Sequence, residues 1–242
     1  MSGIFNPTVA SITLRSALGR KRALLFGLPA LALVLVTLAL KAGHPGNPNW
    51  PSQILGVFGF TVVLPLTALV VGTSVLGAEI DDGSVVHLLA TPVRRSSIIV
   101  TKFAVAAVLT MLLAAVPELV AALIANGATK LTVGLFVGAL AGSVIYNALF
   151  VMFSAVTTRA VAVGLLYVLI WEGTLGNVIS GARVLSVGHY SLGIANAISP
   201  DAALHAGLGW TTAVVMGAIV TAAALVVAAR QLARFSLRGD AL

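Results

Sequence analysis

Five long runs of this chain carry almost no charge. Residues 23–40, 54–78, 103–125, 131–158 and 206–229 contain between them a single acidic or basic side chain, Glu118. At about 1.5 Å per helical residue, each run is long enough to cross roughly 30 Å of hydrocarbon. Composition agrees, because 59% of the 242 residues are hydrophobic and 9% are charged, against roughly 25% charged in soluble domains. A soluble globule is excluded, and so are a disordered chain, a collagen and a coiled coil. The absence of cysteine removes a disulfide framework and thiolate metal sites.

A sixth apolar run begins at Ala160 and meets Glu172 and Gly173 after twelve residues, short for an ordinary span. Residues 23–40 follow Arg20, Lys21 and Arg22 as a signal peptide would, but no small-residue cleavage pattern comes close behind them, so they read as a retained first span. The expected fold is all-α and polytopic. A surface helix occupies residues 1–22, and one membrane domain covers 23–242, with spans near 23–40, 54–78, 99–125, 131–158, 160–180 and 206–229. With six spans, 11 of the 14 basic residues fall on one side and Lys41, Lys130 and Arg183 on the other. The positive-inside rule then places both termini in the cytoplasm and reads the formal charge of +7 as a topology signal, not a nucleic-acid footprint.

Four segments carry the remaining information. Residues 6–22 read as a helix along the membrane surface, with Asn6 as N-cap, Pro7 at the first position, and Val9, Ile12 and Leu18 on an imperfect apolar side; a solvated basic tail is the alternative. Between spans two and three, Asp82 or Ser84 can cap a short helix, Val85, Leu88 and Leu89 share one face, and Pro92 ends it. Glu79 and Asp81 precede that helix while Arg94 and Arg95 follow it, which suits its dipole and offers a partner ionic handles; a loop packed under the bundle is the plainer reading. Gly134, Gly138 and Gly142 form a smooth stripe that permits close helix packing, within the chain or against another subunit. Residues 172–208 mix glycine and polar residues with apolar ones, a pattern expected of an outer re-entrant hairpin between spans five and six.

Motifs for chemistry are few. No lysine follows a glycine, so a Walker A loop is impossible. His44, His87, His189 and His205 are isolated from one another and from carboxylates at metal spacing, so no metal site is expected. Residues 72–76 lack the final glycine of a nucleophile elbow. Glu118 and Glu172 stand out because charge within a bilayer is costly; each is a proton relay, cation site or gate, or else a carboxylate that hydrogen-bonds a neighbouring helix end. Trp171 and Tyr190 are expected at the outer interface.

Residues 79–102 resemble the bacterial type-2 permeases of ATP-binding-cassette transporters. The resemblance rests on Glu79, Gly83, Leu88, Leu89, Ala90, Thr91, Pro92, Arg94, Arg95, Ile98 and Lys102. A second stretch, with Trp171, Glu172, Gly173, Leu185, Ser186 and Tyr190, is similar to permeases of the same kind from high-GC bacteria. The resemblance implies a permease of the bacterial cytoplasmic membrane, working as a homodimer or pseudo-dimer, each half on a separate cytoplasmic ATPase subunit. ATP and magnesium would belong to that partner, and this chain would hold no cofactor and perform no catalysis. Segment 79–97 would be the coupling element, its contacts made by Glu79, Asp81, Asp82, Gly83, Ser84, Val85, Leu88, Leu89, Pro92, Arg94 and Arg95. Glu172, Trp171, Glu118 and Tyr190 would line an outer gate or translocation path. With 9 Phe, 3 Trp and 3 Tyr, the chain lacks the aromatic lining expected of a polysaccharide path, so the expected cargo is a hydrophobic or amphipathic drug, antibiotic or lipid. The rival readings are a proton- or cation-coupled transporter or channel using Glu118 and Glu172, and a non-transporting membrane anchor for an ATPase.

Overall fold

The computed structural model describes residues 7–17, 20–43, 50–81, 95–175, 180–201, 204 and 207–239. Among these residues every regular element is helical. Helix α1 is Pro7–Ala17 and α2 is Arg20–Gly43. A π-helical stretch, Ser52–Val63, runs directly into α3, Leu64–Asp81. Helix α4, Arg95–Thr110, passes through a π turn at Met111–Ala115 into α5, Val116–Asn126. Helix α6 is Lys130–Val156, and α7, Ala160–Leu166, continues as a second long π-helical stretch, Tyr167–Leu175. A 3-10 turn, Ser180–Leu185, precedes α8, Val187–Ile198, and the last helix is α9, Trp210–Gly239.

Among the described residues four helical segments are long and apolar enough to cross a membrane: Ser52–Gly77, Arg95–Asn126, Lys130–Val156 and Trp210–Ala233. Two shorter apolar helices, Gly27–Gly43 and Ala160–Thr174, stand where the first and fifth spans are expected. The apolar run read from residue 206 becomes helix only at Trp210, because Gly207 adopts φ +64, a left-handed conformation outside any α-helix. Gly127, at φ +66, ends α5 in the same way.

The expected surface helix takes in α1, described over Pro7–Ala17, and the first residues of α2, described from Arg20. Val9 and Thr13 are buried where α1 packs on α3 and α4, whereas Ile12 is 55% exposed. Asn6 and Leu18 lie outside the described residues.

Helix α6 is the centre of the fold and packs against α3, α8 and α9. The glycine stripe lies on α8 of the same chain. A Cβ added at Gly134 would sit 2.8 Å from the carbonyl oxygen of Ala195, and one at Gly138 would sit 2.6 Å from that of Ser191. Several buried hydroxyls in this apolar bundle turn back onto their own helices: Thr67, Thr101, Ser143 and Ser154 each donate to the carbonyl four residues earlier, so these four are not stranded there. Val161, Leu166, Leu169 and Ile170 along α7 and its π-helical continuation are more than half exposed, an apolar face suited to lipid.

Candidate functional site

Glu172 is buried, with 1% exposure, in the π-helical stretch Tyr167–Leu175. Four donors among the described residues reach its carboxylate. The Tyr167 hydroxyl and the Val187 backbone N–H each reach Oε1 at 2.8 Å. Ser186 Oγ donates to Oε2 at 2.5 Å, and the Gly188 N–H does so at 3.2 Å. The π-helix accounts for the first contact: its bonds join residues five apart, so Tyr167 and Glu172 stand one above the other. The two backbone donors are the first N–H groups of α8, which have no partner inside their own helix and lie at its positive end. A carboxylate is the natural acceptor there.

Ser186 is the N-cap of α8, and its Oγ accepts from the His189 N–H at 3.4 Å. The same oxygen lies 2.8 Å from His189 Nδ1. Because the one hydroxyl proton is committed to Glu172, the histidine must donate, which assigns the proton of the imidazole to Nδ1. Gly188 leaves room for this cluster: a Cβ on it would sit 3.0 Å from Glu172 Oε2 and 3.4 Å from the Tyr146 hydroxyl. Tyr146 starts a chain of rings through Phe150 and Phe153 to Tyr167, with centroids 5.9, 6.1 and 6.1 Å apart. The rings bring α6 and α7 together around the carboxylate.

Trp171 and Tyr190 both hold the 3-10 turn. The Trp171 Nε1–H donates to the Leu185 carbonyl at 3.2 Å, and the Tyr190 hydroxyl donates to that of Val184. Tyr190 has 0% exposure, which corrects its expected place at the membrane interface: its phenol is held against the 3-10 turn and has no face left for headgroups.

Glu118 does not join this cluster. It lies in the first turn of α5 with 2% exposure, and among the described residues no hydrogen bond reaches its Oε1. Its carboxylate rests on Gly59, where an added Cβ would be 2.5 Å from Oε2. Both carboxylates therefore border the π-helical stretch Ser52–Val63, Glu118 at Gly59 and the Glu172 cluster at Phe60, whose carbonyl lies 3.7 Å from the same Gly188 Cβ position. Among the described residues no group of three or more His, Asp or Glu side chains gathers to hold a metal ion.

At the other end of the bundle, Glu79 and Asp81 belong to the last turns of α3, and Arg95 opens α4. Asp82, Gly83, Ser84, Val85, Leu88, Leu89, Pro92 and Arg94 lie outside the described residues. Just inside this end, Lys102 has 0% exposure and donates from Nζ to the Val75 carbonyl of α3 at 2.6 Å.

Tyr167, Ser186, Gly188 and Gly59 escaped the sequence reading as site residues. Ser186 carried a usable signal, a serine just before an apolar helix start. Tyr167 carried none, because five-residue spacing means contact only once the helix is known to be π.

A family model described as ABC-2 family transporter protein matches residues 18–179. The match takes in the chain from the segment before α2 to beyond Glu172, and ends before Ser186. No curated protein matches the chain.

Proposed function

This chain belongs to the ABC-2 family of transporter proteins, and we propose that it forms the membrane half of an ATP-driven exporter. It is a multi-pass membrane permease, a transport subunit and not a catalytic domain. In the proposed mechanism two copies of the chain meet in the bacterial cytoplasmic membrane, with their termini in the cytoplasm, and each rests on a separate ATPase subunit through segment 79–97. ATP binding and hydrolysis on that partner alternate the access of a cavity between the copies, which carries a hydrophobic or amphipathic compound outward. The observation that carries the reading is the family match, which spans the coupling segment.

The filled carboxylate of Glu172 supports a role as anchor of the outer hairpin. With four donors on its two oxygens, it has little capacity left to relay protons or hold a cation. That leaves the rival carboxylate-driven transporter with Glu118 alone. A tagged chain, extracted from its native host in mild detergent, is expected to bring down an ATPase subunit in about equal amount, as the pairing of permease and ATPase requires. A folded chain that emerges alone, and whose transport follows the proton gradient, would overturn the reading.

A further inference from the structure

Glu118 is the buried acid that the Glu172 cluster leaves unexplained. It lies eight residues before the end of α5, about 12 Å along the helix from it. It has 2% exposure, and among the described residues no hydrogen bond reaches its Oε1. Both carboxyl oxygens rest on Gly59: an added Cβ there would sit 2.5 Å from Oε2 and 2.8 Å from Oε1. The acid thus fills the seam where α5 meets the π-helical stretch Ser52–Val63, in a space that exists because residue 59 has no side chain.

The cationic residues on the elements packed against α5 all stand at helix ends. On α2, Lys41 is exposed and donates to the Ile124 carbonyl, six residues beyond Glu118, while Arg20, Lys21 and Arg22 belong to the opposite end. On α6, Lys130 is exposed at the first position, and Tyr146 belongs to the Glu172 cluster. The π-helical stretch and the π turn Met111–Ala115 contain no titratable side chain. A carboxylate in such a place keeps the full cost of its lost hydration, whereas the neutral acid keeps only that of a polar group.

We propose that Glu118 is a proton-binding site built into this seam: its carboxyl holds a proton while α5 lies on the π-helical stretch, and exchanges it with water only when the two part. The proton is then a ligand of the closed packing, so its uptake favours that packing and its release the parted one. ATP can still supply the drive for transport; the site is complete within this chain and needs no ATPase.

Infrared spectra of the intact chain in lipid bilayers at neutral pH test the site directly. The wild type is expected to show a carboxylic-acid carbonyl band that shifts in heavy water and is missing from Glu118→Gln; spectra with no such difference overturn the proposal. Should Glu118→Gln fail to fold, the wild-type chain with isotope-labelled glutamate decides. It has three glutamates, and a labelled acid band that survives both Glu79→Gln and Glu172→Gln belongs to Glu118, whereas its absence, or its loss in either variant, overturns the assignment. The seam is tested by how fast the band shifts after transfer to heavy water. Gly59→Ala, which spoils the bed of the carboxyl, is expected to speed that exchange about tenfold by easing local opening. Equal rates in the two proteins overturn the claim that the seam guards the proton.

Discussion

Ser186 donates its hydroxyl proton to Glu172 across fourteen residues of chain, at 2.5 Å, while its own helix begins at the next residue. The N-cap that starts α8 is therefore also a contact that attaches α8 to the π-helical stretch continuing α7. Local helix formation and the docking of α8 on Glu172 are one event, since neither the N-terminal N–H groups of α8 nor the carboxylate is fully satisfied without the other.

Glu172→Gln tests that dependence with almost no change in shape. One amide orientation sets NH2 against the Val187 N–H and the other sets it against the Gly188 N–H, so one donor always meets a donor. Leaving a buried N–H unpaired costs about 1–3 kcal/mol. Thermal unfolding of the purified protein is expected to show a loss of that size. Unchanged stability, with a changed pH dependence of transport, would instead favour a proton-carrying role.

Gly138→Ala should separate α6 from α8. The new methyl would sit 2.6 Å from the Ser191 carbonyl and 2.9 Å from the Phe60 ring, and a backbone carbonyl cannot move aside as a side chain can. Overpacking of this kind costs about 1–3 kcal/mol. Gly43→Ala, where the added carbon meets nothing within 4 Å, is the control, expected to change stability by no more than about 0.5 kcal/mol.

Gly59 and Glu118 should prove coupled in a double-mutant cycle. Gly59→Ala drives a methyl into the carboxylate, and most of its cost is expected to vanish when Glu118→Ala has already removed the obstacle. An interaction energy above about 0.5 kcal/mol is expected for residues in contact; simple additivity of the two losses would show that the contact carries no energy.

Burial, and after it the positive charge of Arg183, hold the His189 imidazole below the usual histidine value of 6.5. Below that pH the unfolded chain takes up a proton that the folded chain refuses. The stability contributed by neutral His189 is thus complete above about pH 6.5 and declines as pH falls below it. The melting temperature of the protein should drop more between about pH 7.5 and about pH 5.5 than that of His189→Asn, which no longer titrates in this range. Parallel curves for the two proteins would count against this assignment.

The helices were legible because crossing a membrane leaves a compositional trace: runs with almost no charge between 54 and 158 gave way to Ser52–Gly77, Arg95–Asn126 and Lys130–Val156. The ends were less legible. Arg95 and Ser96 belong to α4, but a search for apolar residues cannot see a helical turn made of polar ones. The partners of Glu172 were hidden for another reason. Three of them come from fourteen to sixteen residues away through a change of chain direction, and the fourth depends on a π-helical backbone that has no compositional signature. Glu172 was visible as a buried charge; what satisfied it was not.

The π turn at Met111–Ala115 sets the angular phase of everything after it. It closes its bonds one residue later than an α-helix does, and each α residue advances the helix by about 100°. Remove one residue there and the turn can close as α with Glu118 still facing Gly59, whereas one residue removed from the α-helical turns beside it swings Glu118 about a quarter-turn away. The meeting of those two residues is thus written in a residue count as much as in side-chain identity. Substitutions leave that count untouched, so a mutational scan that only exchanges side chains will pass over this dependence, whereas single deletions inside and beside the turn will expose it.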